Sequence, residues 1–316
     1  MGDMLVTAWD RKNLLQLEGL TRDELIELID LAQTHLDVVK RKEPALKTLD
    51  GKLVANLFFE DSTRTRCSFA IAARRLGAEV VDLSTTGSSV SKGETIVDTA
   101  HTVEAMGVDA IVMRAKPSGA AHLVAQSVQA PVINAGDGRH EHPTQGLLDL
   151  LTMRQHLGDM STRTVVIVGD IANSRVARSN VHALTTIGAH VRLIGPPTLV
   201  SKSFESIAQG PGSVIVDHDF DVALEDADVV MMLRVQLERQ AGGNIPEDYR
   251  ELYGLSKKRA SRLKPETIVM HPGPMNRGLE IDSEVADDAS RSVILQQVTN
   301  GVAVRMAVLE MLIPSS

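Results

Sequence analysis

The feature that most constrains this chain is an alternation of short, almost purely apolar runs with longer amphipathic stretches, repeated through nearly its whole length. A strand buried on both faces reads as a continuous apolar run, and parallel neighbours must be joined by a crossover of about a dozen residues or more, usually a helix. The alternation therefore predicts an α/β fold of parallel sheets flanked by helices. The runs fall into two sets. Strands are expected over 53–59, 79–83, 110–113 and 131–134 in the first half, and over 164–168, 190–194, 213–216, 228–233 and 267–270 in the second. Between them, Thr21 can cap a helix carrying Leu25, Leu28, Ile29 and Leu36, with Glu24 three residues on to complete a capping box. A helix over 145–156, with leucines at 147, 148, 150 and 151, is expected to link the halves, and one over 296–312 is apolar on one face. Gly242-Gly243 and the polar stretch to Lys258 read as a mobile loop.

At 316 residues there is length for two domains, each with its own core. Acidic residues outnumber basic ones by 41 to 33, for a net charge of -8, which argues against the basic face that a nucleic-acid or membrane-surface binder needs. Aromatics at 3% supply no stacking platform, and no apolar run approaches the ~18 residues of a membrane span. Small-molecule partners are the remaining expectation. The single cysteine, Cys67, has no internal partner, and no basic segment leads into an apolar signal core, which together point to the cytoplasm. Cys67 itself is expected as a small core residue, with no base at a spacing that would make it a nucleophile.

Open parallel sheets bind ligands beyond the carboxyl ends of their strands, so the residues that follow each apolar run carry the chemistry. After the first run comes Glu60-Asp61-Ser62-Thr63-Arg64-Thr65-Arg66, at the start of a helical segment. Hydroxyls, free backbone N–H groups and guanidiniums at a helix N-terminus form an anion site, although no glycine-rich P-loop is present. Arg114 follows the third run. The fourth leads through Gly136-Asp137-Gly138 to His142-Pro143-Thr144-Gln145, where a neutral imidazole can donate to a carbonyl oxygen. His140, Glu141 and His142 stand close together, but an HxH ahead of proline lacks zincin spacing, so no metal is expected. In the second half Gly169-Asp170-Ile171-Ala172-Asn173-Ser174-Arg175 invites a dinucleotide-binding reading that fails on detail. Ile171 and Ser174 replace the second and third glycines of GxGxxG, and Arg175 instead suits a carboxylate. Arg234 and Gln236 follow the next strand, and His271-Pro272-Gly273-Pro274, a stiff turn, the last. Four arginines, Arg64, Arg114, Arg175 and Arg234, thus stand at strand ends and predict a site for two anions.

These segments, taken with Ser91-Lys92-Gly93-Glu94 and Arg234-Val235-Gln236, resemble in order and spacing the catalytic chains of the aspartate branch of the aspartate/ornithine carbamoyltransferase family. STRTR with HPxQ marks the family generally. The Lys92 loop, Thr144 and RVQ point to the aspartate branch, and the HPCQ and HCLP of the ornithine branch are absent. The usual HPLP reads HPGP here, which places a contact made through a backbone carbonyl on Gly273.

The resemblance implies two doubly wound parallel-sheet domains with helices on both faces, linked by helices. Residues 1–142 would bind carbamoyl phosphate, with the C-terminal helix 293–316 docking back on them, and 143–292 would bind aspartate. It implies a carbamoyl-phosphate site of Ser62, Thr63, Arg64, Thr65, Arg114, His142 and Gln145 with the carbonyls of Gly273 and Pro274. Thr65, Arg114 and His142 would converge on the growing oxyanion, and Arg64 would hold the phosphate. L-aspartate would be held by Arg175, Arg234 and Gln236, with Lys92 and either Ser88 or Ser89 reaching into a neighbouring subunit of a homotrimer with shared active sites. Closure of the domains would move the loops over 84–94 and 234–258. The reaction needs no cofactor and serves pyrimidine biosynthesis. Met275-Asn276-Arg277-Gly278-Leu279-Glu280 resembles chains that associate with dihydroorotase, so a dihydroorotase or a regulatory chain is a candidate partner. The rival readings are a carbamoyltransferase for another amino acid, a silent structural homologue in a dihydroorotase assembly, and a nucleotide-dependent oxidoreductase, the last disfavoured by the missing glycines.

Overall fold

The structure is a computed structural model that describes residues 9–41, 46–84, 93–235 and 246–314. The chain forms two compact units, 1–148 with 299–316, and 149–298. Both divisions run through helices, α5 (Pro143–Leu157) and α11 (Ile294–Leu312).

The first unit holds a four-stranded parallel sheet of β1 (Leu53–Phe58), β2 (Glu79–Ser84), β3 (Ala110–Ala115) and β4 (Val132–Asp137), in the order β2-β1-β3-β4. The crossovers are α2 (Thr63–Arg75), α3 (Ile96–Ala105) and α4 (Ala120–Ala125). Every residue of β4 and all but the first of β1 are buried, as strands covered on both faces must be. The preceding helix, α1 (Arg22–Arg41), starts where its capping box predicts. The Glu24 amide donates to Thr21 Oγ1 at 3.2 Å, and the Thr21 amide donates to Glu24 Oε2 at 2.7 Å. The C-terminal part of α11 packs in this unit. Arg305 donates to Ser68 Oγ at 2.9 Å with its guanidinium 5.1 Å from the Phe69 ring, and His35 meets Glu310 at 2.6 Å.

In the second unit β5 (Thr164–Val168), β6 (His190–Ile194), β7 (Ser213–Asp217), β8 (Val229–Met232) and β9 (Ile268–Met270) form a parallel sheet in the order β7-β6-β5-β8-β9. Helix α6 (Arg175–Ile187) joins β5 to β6, capped by Ser174, whose hydroxyl accepts from the Ala177 amide at 3.1 Å. The short helices α7 (Phe220–Ala223), α8 (Tyr249–Tyr253), α9 (Lys257–Ala260) and α10 (Ser283–Ala286) complete the unit around an aliphatic core that includes Val166, Val168, Val230, Met232 and Val269.

Two expectations are corrected. The stretch from 246 to 258 is built rather than loose: α8 buries Tyr249 and Tyr253, and Arg259 on α9 forks onto Asp221 at 2.9 and 3.2 Å and lies 5.3 Å from the Phe220 ring. Cys67 is exposed, not core. The buried face of α2 runs through Thr65, Phe69, Ala72 and Ala73, and Cys67, two residues on from Thr65, points away from it. The 242–243 glycines, and residues 85–92 of the earlier loop, lie outside the described residues.

Candidate active site

In each sheet the chain winds outward from the centre in both directions, leaving a crevice where neighbouring strands send their connections opposite ways. In the first sheet that point lies between β1 and β3, because β1 leads to β2 on one side and β3 to β4 on the other. In the second it lies between β5, leading to β6, and β8, leading to β9.

At the first switch point, β1 delivers Ser62 and α2. Ser62 is the N-cap residue, yet its side chain makes no capping hydrogen bond, and the first turn contains no acidic residue. That turn instead carries Arg64 and Arg66 at the positive end of the helix, where each cation opposes the helix dipole by about 0.3–1 kcal/mol. A helix that omits both the usual cap and the usual acid and places guanidiniums there is arranged for an external anion. Arg64 is exposed and Thr65 buried, so the turn offers a guanidinium to solvent one residue from a buried threonine. Beside it, at the end of β3, the Arg114 guanidinium donates to Glu60 Oε1 at 2.9 Å and to the Ala135 carbonyl at 3.3 Å. These contacts tie the ends of β1, β3 and β4 together.

After β4, the His142 carbonyl accepts the amides of Gln145 and Gly146 at 2.9 and 3.2 Å, and Pro143 takes the first position of α5, where no amide donor is required. The loop that carries His142 is pinned from beneath by a buried carboxylate. Asp137 accepts from the Gly119 amide at 2.7 Å, Asn134 Nδ2 at 2.8 Å and His140 Nδ1 at 3.1 Å. Burial works to raise the Asp137 pKa, but the hydrogen bonds from His140 and Asn134 and the nearby imidazolium outweigh it and hold the carboxyl below its ordinary value. The His140 pKa moves the other way, raised first by its hydrogen bond to Asp137 against an opposing effect of burial.

At the second switch point, β5 ends at Gly169, whose φ of +133° belongs to glycine; a Cβ there would stand 3.2 Å from both Leu233 Cβ and the Tyr249 hydroxyl. This glycine lets the ends of β5 and β8 approach closely, which explains its presence without any dinucleotide. Arg175 opens α6 and is buried, and Arg234 follows β8 half-buried. The Tyr249 hydroxyl sits in the same wall, its pKa pushed up by burial and by the Glu280 and Asp170 carboxylates. After β9, Gly273 adopts a φ of +63° and joins Pro274 through a cis peptide. The turn they form is tied to the β8 end by Asn276 Nδ2, which donates to the Val235 carbonyl at 3.0 Å.

Of the expected residues, Ser62, Thr63, Arg64, Thr65, Arg114, His142 and Gln145 thus stand at the strand ends of the first unit, and Arg175, Arg234, Gly273 and Pro274 at those of the second. Lys92, Gln236, Ser88 and Ser89 lie outside the described residues. Sequence reasoning missed Asp137, Tyr249 and Glu280. The signal for Asp137 was its place between two glycines, Gly136 and Gly138, a position where a carboxylate accepts backbone donors.

The family described as aspartate/ornithine carbamoyltransferase matches in two parts: its carbamoyl-P binding domain over residues 12–155 and its Asp/Orn binding domain over residues 161–312. The aspartate carbamoyltransferase catalytic subunit of Myxococcus xanthus is 55% identical over 301 residues, covering 95% of this chain and 98% of its own. That of Granulibacter bethesdensis is 52% identical over 304 residues, covering 96% and 95%. Among solved structures, the aspartate transcarbamoylase of Trypanosoma cruzi in complex with N-(phosphonacetyl)-L-aspartic acid superposes with a TM-score of 0.89 at 31% identity, covering 98% of both chains. The catalytic subunit of M. Jannaschii aspartate transcarbamoylase does so with a TM-score of 0.85 at 34% identity, covering 96% and 98%.

Proposed function

This chain belongs to the aspartate/ornithine carbamoyltransferase family, and on that premise we propose that it transfers the carbamoyl group of carbamoyl phosphate to the amine of L-aspartate, giving N-carbamoyl-L-aspartate and phosphate. The observation that carries the reading beyond the family is the uncapped, acid-free first turn of α2 with Arg64 in it, an anion site built against the helix's own preference.

The roles follow from the chemistry. Ser62, Thr63 and Arg64 hold the phosphate group of carbamoyl phosphate. Thr65, Arg114 and His142 donate to the carbonyl oxygen as it gains negative charge, and loss of one such donor commonly costs about 100- to 1,000-fold in turnover. Gln145 and the carbonyls of Gly273 and Pro274 orient the carbamoyl NH2, which presents only donors to its carbonyl acceptors. Arg175, Arg234 and Gln236 bind the two carboxylates of aspartate. The amine lone pair attacks the carbonyl carbon, the C–O bond to phosphate breaks, and the departing phosphate accepts the amine proton. Lys92, with Ser88 or Ser89, completes the site of a neighbouring subunit in a cytoplasmic homotrimer. The product has the carbon and nitrogen atoms of a pyrimidine ring awaiting closure, which places the reaction in pyrimidine biosynthesis. Dihydroorotase or a regulatory chain is the partner class to test.

Purified protein supplied with carbamoyl phosphate and either L-aspartate or L-ornithine tests the reading. Carbamoylated aspartate is the expected product. Carbamoylation of ornithine alone, or of neither, refutes it.

A further inference from the structure

We propose that His271 and Glu280 act as a buried positioning pair that sets the direction of the Gly273 and Pro274 carbonyls and, through Asn276, couples them to the strand end that carries Arg234; this deepens the carbamoyl-transfer reading and rests on it. Both side chains are fully buried. A carboxylate withdrawn from water is retained only where donors are aimed at it, since an unpaired one is strongly destabilising.

The donors come from the two ends of one turn. The Gly273 amide donates to His271 Nδ1 at 2.8 Å, which leaves the ring proton on Nε2, and Nε2 donates to Glu280 Oε1 at 3.3 Å. The Asn276 amide donates to the same carboxylate oxygen. Each amide lies in the peptide plane it shares with the preceding carbonyl. Clamping the Gly273 and Asn276 amides therefore fixes the planes on either side of the two that contain the Gly273 and Pro274 carbonyls. Pro272 and Pro274 have no amide to help, so between them only the Gly273 amide is available to hold the turn, and it is spent on the imidazole.

The pair is itself anchored. The His271 amide donates to Gln297 Oε1 at 3.0 Å, Gln297 Nε2 donates to Asp149 Oδ1 at 2.8 Å, and Asp149 Oδ2 accepts from Asn180 Nδ2 at 2.8 Å, a chain of buried polar groups reaching α5 and α6. On the other side, Asn276 Nδ2 holds the Val235 carbonyl, one residue from Arg234. One carboxylate thus sits behind both the carbonyls that would receive the carbamoyl NH2 and the arm that would receive aspartate.

The test compares wild type with Glu280→Ala and Glu280→Gln, using inorganic phosphate as the internal control because the 62–65 turn alone would hold it. Expected for Glu280→Ala is a loss in kcat/KM of about 100-fold, the scale set by an ångström of misplacement at a reacting group, with weaker carbamoyl-phosphate binding and a raised KM for aspartate. Phosphate affinity, read by calorimetry, stays within about twofold of wild type, which general damage to the protein would not allow. Glu280→Gln, which keeps the shape and one acceptor oxygen, falls between the two, and it decides the matter if the alanine variant fails to fold. Unchanged constants in a folded variant, or a parallel loss of phosphate affinity, overturn the proposal. An active wild type with unaltered variants sinks the pair alone, whereas a wild type that does not carbamoylate aspartate sinks the underlying reading and the pair with it.

Discussion

Arg64→Ala separates a residue kept for a ligand from one kept for the fold. Arg64 is exposed in the first turn of α2, a turn with no acidic residue and a cap residue whose side chain is not used as a cap. Alanine and arginine have nearly equal helix propensities, so the exchange changes the intrinsic helix energy little. Removing a cation from the positive end of the helix returns about 0.3–1 kcal/mol, and the surface contacts of an exposed arginine are worth under about 1 kcal/mol in the other direction. The two nearly cancel, so the variant without ligand should match wild type in stability to within about 0.5 kcal/mol. Its response to anions should not match. Phosphate at 100 times its dissociation constant stabilises wild type by about 2.7 kcal/mol, roughly 5–10 °C in melting temperature for units of this size. The variant should show little of that shift. A bidentate guanidinium supplies two charge-assisted hydrogen bonds of about 1.5–3 kcal/mol each, so kcat/KM should fall by roughly 10²- to 10⁴-fold. Thermal melts with and without phosphate, together with initial rates, measure all three quantities. A variant that melts well below wild type in buffer, or that keeps the full phosphate shift, would refute the assignment of Arg64 to an anion.

Gly169→Ala forces a side chain into a backbone conformation that costs about 1–3 kcal/mol and presses a Cβ on Leu233 and Tyr249, adding a further ~1–3 kcal/mol of overpacking. Denaturant unfolding should show the loss, accompanied by a raised KM for aspartate because Leu233 precedes Arg234; an unchanged midpoint would mean the close approach is not needed. His140→Gln probes the Asp137–His140 pair. The raised His140 pKa gives stability that is present below its ordinary value of 6.5 and lost as pH climbs through the folded value. The lowered Asp137 pKa gives stability present above its ordinary 3.8 and lost as pH falls through the folded value. The gap in melting temperature between wild type and His140→Gln should therefore be widest in the window between those two ordinary values and narrow as pH climbs through the raised His140 value, and a gap that widens with pH above 6.5 would contradict the pairing.

The strands were legible because parallel strands covered on both faces become unbroken apolar runs; β5 and β6 begin and end where the runs at Thr164 and His190 do. Phase was harder. Cys67 lies in a correctly expected helix, but a single small residue carries no periodicity of its own, and its exposure was decided by where Phe69 and Thr65 point. The stretch around Tyr249 looked loose because α8 and α9 span only five and four residues, too few for a helical period to appear. What orders them is tertiary: the burial of Tyr249 and Tyr253, and the fork of Arg259 on Asp221, 38 residues away in sequence.

The same distinction divides the site. Residues proposed to touch a ligand follow the strands directly, so Arg64, Arg114, Arg175 and Arg234 could be picked out from strand order and the rule that ligands bind at carboxyl ends. Glu280 could not. It reads as one more charged residue in a polar stretch, and its burial depends on Leu255 and Arg277 each forming a bridge with Ile281, which turns the chain back and carries Glu280 under His271. Nothing local in the sequence announces that return. A carboxylate buried by long-range contacts costs several kcal/mol, and here Oε1 collects both donors, His271 Nε2 and the Asn276 amide, while Oε2 has none among the described residues; a fold that keeps the group there, with its donors drawn from the turn at Gly273, is using it to hold that turn in one geometry. Contact residues are thus written in the strand ends, while the residues that aim them are found by asking from which turn a buried carboxylate draws its donors.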